Sequence, residues 1–169
     1  THGHLMFNAK RPVLVIGSGV RLAGAMEHAI AFAEASGIPV APTWGALDIM
    51  PYDHPLFIGS FGTHGTRYGN FAVQNSDLIL SVGSRLDSKS TGTPPSSFAR
   101  SARIVMVDVD STEIDKFQHM SLKVEGVCED AKAFFLRVLP DVKHEDYAPW
   151  LAQIADWKKR YPICPPEYY

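Results

Sequence analysis

Cysteine is scarce in this chain of 169 residues, which holds only Cys128 and Cys164. That scarcity excludes a disulfide framework and a cysteine-built zinc site, and it suits a reducing compartment, so the expected setting is cytoplasmic. No apolar run approaches the ~20 residues that span a bilayer, and the first residues lack the basic-then-apolar order of a secretory signal. The net charge is only -2, with 16 basic and 18 acidic side chains interspersed. Without a polybasic stripe, neither nucleic acid nor an anionic membrane is expected as a partner. No repeat of solenoid period is present.

Against these absences stands a hydrophobic content of 46%, enough for one α/β domain with a real core. Three short apolar runs each stop at small or acidic residues. Val13–Ile16 leads into Gly17-Ser18-Gly19, Leu78–Val82 into Gly83-Ser84-Arg85, and Ile104–Val107 into Asp108-Val109-Asp110. Such runs read as strands buried on both faces of a parallel sheet. Ile38–Pro42, Phe57-Ile58 and Leu122–Val127 add three candidates. The expected fold is a doubly wound, Rossmann-like α/β sheet of six parallel strands with helices on both faces. Leu22, Ala25, Met26, Ala29, Ile30 and Ala33 recur at helical spacing and predict one helix ending near Gly37. Further helices are expected over 66–75, 130–139 (opened by Asp130 as its cap) and 147–160. Residues 1–10 read as a tag or upstream linker, 11–161 as the domain, and the proline-rich 162–169 as an exit linker.

In sheets of this kind ligands lie across the carboxyl ends of the strands. Gly17, Ser18 and Gly19 sit where a strand turns into a helix, and the helix dipole with close backbone approach favours a phosphate there. The spacing is not the dinucleotide fingerprint, because Leu22 stands where the third glycine belongs. No acidic residue closes the second strand, where Ala41-Pro42-Thr43 stands instead. A glycine-rich loop with Gly62, Thr63 and His64 follows a candidate strand and opens a helix. Arg85, Asp87 and Lys89 follow another strand end and place cations where a diphosphate could be met. Asp108 and Asp110 could accept from a ribose or adenine, or cap the turn into Thr112.

Taken in order, Gly-Ser-Gly-Val-Arg at 17–21, Asp-His-Pro-Leu-Phe-Ile-Gly at 53–59, Gly-Thr-His-Gly-Thr-Arg-Tyr-Gly-Asn at 62–70, Asp77 to Asp87, and Asp108-Val109-Asp110 form a recognisable series. It resembles the central domain of thiamine-diphosphate-dependent enzymes of the acetolactate synthase group. The resemblance runs from about Arg11 to the closing Trp-Lys-Lys-Arg-Tyr-Pro. It implies a DHS-like nucleotide-binding topology and a three-domain parent. A pyrimidine-binding domain would precede this one and a diphosphate-binding domain would follow it. Between them they would hold thiamine diphosphate (ThDP) and Mg in a homodimer or homotetramer.

The same resemblance implies FAD or ADP in the central domain, or a scaffold with no nucleotide. Gly17, Ser18, Gly19 and Arg85 would then meet the phosphates, and Gly83, Ser84, Asp87 and Lys89 would belong to the same cofactor-binding site. Thr43, Gly62, Thr63 and His64 would line the flavin end, and Asp108 and Val109 would flank adenosine. Flavin-binding members read Arg-Phe-Asp-Asp-Arg-Val-Thr-Gly after the fourth strand, whereas Leu86, Ser88, Lys89 and Ser90 replace four of those positions here. Glu129-Asp130-Ala131 stands where the family has Gly-Asp-Ala. No Gly-Asp-Gly of a thiamine site occurs, so no catalytic residue or metal ligand is expected and the fragment alone should be inert. The alternatives are a stand-alone nucleotide-binding or sensor domain and a nicotinamide-binding oxidoreductase domain.

Overall fold

The computed structural model describes residues 8–168. Five parallel strands form one sheet in the order β2-β1-β3-β4-β5: β1 Pro12–Ile16, β2 Val40–Pro42, β3 Leu78–Val82, β4 Arg103–Asp108 and β5 Glu125–Cys128. Every residue of β1 and β3 is buried, which explains why these strands are built of apolar residues with Ser81 as the one small polar exception. Among the described residues, seven α-helices connect and flank the strands: α1 Ser18–Leu22, α2 Met26–Ser36, α3 Arg67–Asn75, α4 Ser88–Thr91, α5 Ser111–Asp115, α6 Ala131–Val138 and α7 Ala148–Arg160. α2 packs against α6, and α3 against α7. The chain steps from β1 outward to β2 and then back past β1 to β3, so right-handed crossovers put these two pairs on opposite faces.

The sixth strand is a correction. Phe57 makes a single parallel bridge to Val40, with Val40 N–H donating to Leu56 O at 2.7 Å and Ile58 N–H to Val40 O at 3.0 Å. Phe57 N–H is turned back onto His54 O, and Gly59 at φ +82° ends the extended stretch. A ladder one residue long cannot grow between those two turns. The helix expected after β1 is also two helices. Gly24 at φ +61° separates α1 from α2, which leaves Leu22 86% exposed while Phe32 enters the core.

Elsewhere local chemistry and packing agree. The Thr66 hydroxyl accepts from Gly69 N–H and opens α3, and Asp130 accepts from Lys132 and Ala133 N–H and opens α6. Phe134 and Phe135 of α6 are buried, with Phe135 5.5 Å from Phe32 of α2 between ring centroids. Trp150 of α7 is buried and donates its indole N–H to Pro12 O at 3.0 Å, which seats α7 on the start of β1. Of the expected flanking segments, residues 1–7 and Tyr169 lie outside the described residues. Lys10 and Arg11 donate their amides to the Asp77 carboxylate, and Pro166–Tyr168 forms a short 3-10 turn.

Candidate functional site

Strand register decides which turns meet. Ile16 pairs with Val82 and Val82 with Val107, so Gly17, Gly83 and Asp108 form the next row at one rim, with Asp108 beside Cys128. The ladder continues through that row: Gly17 N–H donates to Val82 O and Gly83 N–H to Val107 O, each at 3.0 Å. The order also reverses between β1 and β3, the place where an open α/β sheet forms its crevice.

The glycines of this row hold backbone against backbone. A Cβ on Gly17 would stand 2.1 Å from Gly83 O, and one on Gly83, at φ +61°, would stand 2.6 Å from Val20 N. Gly19 N–H donates to Gly83 O at 3.0 Å. Two of the amides expected to face a phosphate thus tie β1 to β3. Ser18, the first residue of α1, is the exposed member of this turn.

A cleft of about 420 Å³ opens above this row, inside the range of small-molecule sites. Ser18, Gly19, Gly83, Arg85, Asp108 and Val109 line it, six of the expected residues brought together from three strand ends. Leu22 stands on its wall with Asp110, Glu113, Glu129 and Asp130. Arg85 is the one cation among these lining residues, and its guanidinium bonds the Glu113 carboxylate at 2.8–2.9 Å. Glu113 also accepts from Lys116 Nζ at 2.6 Å, and that ammonium donates to Arg85 O as well. The bonds from Lys116 and then Arg85 hold the Glu113 carboxyl below its ordinary pKa, and the Glu113 bond raises that of Arg85. Glu129 pairs with Arg137. Asp110 accepts from the Thr112 hydroxyl and amide, which lower its pKa in that order. Its capping role is therefore realised.

A second cleft, of about 390 Å³, is lined by Thr43, Trp44, Thr63, His64, Asp87 and Lys89. Trp44 is 65% exposed, with its ring 5.4 Å from the His64 ring. The loop beneath is held from both sides: Asn70 bonds both the N–H and the O of Gly62, and Thr63 N–H and hydroxyl donate to Lys89 O. Asp87 caps α4 by accepting from Ser90 N–H. The clefts abut where Gly45 faces Ser18, a Cβ on Gly45 falling 2.9 Å from Ser18 Cβ.

Gly17, Gly62 and Ser84 line neither cleft. Gly17 and Gly62 are packed against backbone, and Ser84 is buried with its hydroxyl accepting from Leu86 N–H at 3.4 Å. Sequence reasoning missed Leu22 as a cleft wall, Trp44, and above all Glu113. An exposed tryptophan beside Thr43 was a usable signal; a glutamate 28 positions from its arginine partner was not. Among the described residues no group of three or more His, Cys, Asp or Glu could hold a metal, and no helix is long and apolar enough to cross a membrane.

The family described as "Thiamine pyrophosphate enzyme, central domain" matches residues 4–137. The chain is 39% identical over 163 residues to the acetolactate synthase large subunit of Corynebacterium glutamicum, covering 94% of this chain and 25% of that protein. It is 34% identical to a probable acetolactate synthase large subunit of Methanocaldococcus jannaschii (92% of this chain, 26% of the relative). It is likewise 34% identical to the acetolactate synthase isozyme 1 large subunit of Escherichia coli (93% and 27%). The chain thus spans about a quarter of the length of these curated relatives.

Proposed function

The chain belongs to the family of thiamine pyrophosphate enzyme central domains, and from that premise we propose that it is the nucleotide-binding or scaffolding middle of an acetolactate-synthase-like enzyme. The parent would join or cleave bonds beside the carbonyl of a 2-oxo acid, with flanking pyrimidine- and diphosphate-binding domains holding ThDP and Mg. ThDP, when bound there, supplies the carbon nucleophile. Residues 11–161 would be the domain, and the parent a cytoplasmic homodimer or homotetramer.

This chain's own residues would bind and orient an adenine nucleotide, FAD or ADP, and would take no chemical step. The adenosine would lie against Asp108 and Val109, and the phosphates over Ser18 and Gly19, with Arg85 held beside them by Glu113. A flavin, if present, would rest on Trp44 and His64 between Thr43, Thr63, Asp87 and Lys89. One observation carries the reading: the ends of β1, β3, β4 and β5 converge on one cleft, and a second, aromatic cleft abuts it at Ser18 and Gly45.

The test is to purify the protein as encoded and measure absorbance and the flavin released on denaturation. Stoichiometric yellow flavin supports FAD. A colourless protein whose melting temperature rises with ADP supports ADP, and one that responds to neither is a scaffold. Turnover of a 2-oxo acid by the 169-residue chain with ThDP and Mg would overturn the proposal that the chemistry lies elsewhere.

A further inference from the structure

The charge balance of the larger cleft is opposite to that of a phosphate site. Asp108, Asp110, Glu113, Glu129 and Asp130 line it against one lining guanidinium, that of Arg85, while Lys116 and Arg137 reach Glu113 and Glu129 from outside the lining. Glu113 is the inner member of its pair, its side chain 16% exposed where that of Arg85 is 76% exposed. One Glu113 oxygen takes Arg85 and the other takes Lys116, and Lys116 reaches back to Arg85 O. The guanidinium is thereby fixed onto a carboxylate at the cleft wall. A diphosphate entering here would meet like charge on α5 and at the start of α6, and would compete with Glu113 for the only lining cation.

Carboxylates that repel phosphate are good acceptors for hydroxyl and amine donors. Resting on the nucleotide reading above, we propose that this cleft selects the nucleoside part of its ligand, and that Glu113 is the specificity residue that keeps Arg85 from recruiting phosphate. The diphosphate is tolerated, while the ribose and base hold the ligand.

Titration calorimetry on the protein as encoded, stripped of any flavin and saturated with ThDP and Mg, tests this with adenosine, AMP and ADP as probes. The three should bind within about threefold of one another, because added phosphate finds no unpaired cation. Glu113→Gln should tighten ADP relative to adenosine by about tenfold or more, since it frees a guanidinium for a charge-assisted bond. The double variant Arg85→Gln/Glu113→Gln should lose that gain, which separates release of Arg85 from a general loss of negative charge. Wild-type ADP binding at least tenfold tighter than adenosine, or an ADP affinity unchanged relative to adenosine in Glu113→Gln, would overturn the inference while leaving the nucleotide reading intact. If none of the three probes binds, the nucleotide reading falls and this inference falls with it.

Discussion

Gly17→Ala puts a methyl group where β1 and β3 touch. The added Cβ would lie 2.1 Å from Gly83 O and 2.6 Å from both Gly83 C and Ser84 Cα, all backbone atoms without a rotamer to yield. Gly17 itself has φ -106° and ψ 177°, extended values open to alanine, so the cost comes from contact alone. Relief requires the strand ends to part, which loosens the 3.0 Å bonds from Gly17 N–H to Val82 O and from Gly19 N–H to Gly83 O. Two weakened hydrogen bonds and one overpacked contact together come to about 4 kcal/mol. In a chain of this size that lowers the melting temperature by about 8–16 °C. The control is Gly24→Ala, whose Cβ meets nothing within 4 Å but whose φ is +61°. That variant carries only left-handed strain, about 1–2 kcal/mol, or about 2–8 °C. Thermal unfolding of the 169-residue chain followed by far-ultraviolet circular dichroism reads both. A Gly17→Ala chain that melts with, or above, Gly24→Ala would show that the glycine row is not a backbone contact.

Three further outcomes follow from packing, capping and charge. Phe135→Ala should cost about 3–5 kcal/mol in urea denaturation, because the ring is fully buried against Phe32 and Phe134. Asp130→Ala should cost about 1 kcal/mol by removing the acceptor for two α6 amides, and Asp130→Asn should recover most of it. The Glu113 carboxyl is held below its ordinary value of 4.5 by Lys116 and then Arg85. Its contribution is therefore full above pH 4.5 and is lost as pH falls through the lowered value. Glu113→Gln should flatten the fall in melting temperature measured from pH 6 to pH 3, and an unchanged acid limb would refute the linkage.

Much of the fold was legible because its causes are local. Leu78–Val82 reads as a buried strand from five apolar or small residues in a row, and Asp130 reads as a cap from its place before Ala131. The misreadings have equally definite causes. Phe57-Ile58 carries a strand-like pair, but whether it pairs depends on turns set by His54 and Gly59. The helical period through Leu22 runs on regardless of the left-handed turn at Gly24, so periodicity alone fused two helices and buried a residue that stands at a cleft wall.

The candidate site divides in the same way. Chain order and residue type sufficed to place Ser18, Arg85 and Asp108 at strand ends, since apolar runs stop where strands leave the core. Sequence alone also sufficed for the family, whose motifs lie in short contiguous stretches. Only the tertiary structure decided that Gly17 and Gly83 serve each other, that Ser84 is buried away from either cleft, and that Glu113 neutralises Arg85. Those facts depend on strand register and on helix packing, which bring together positions whose separation along the chain carries no trace of their distance in space.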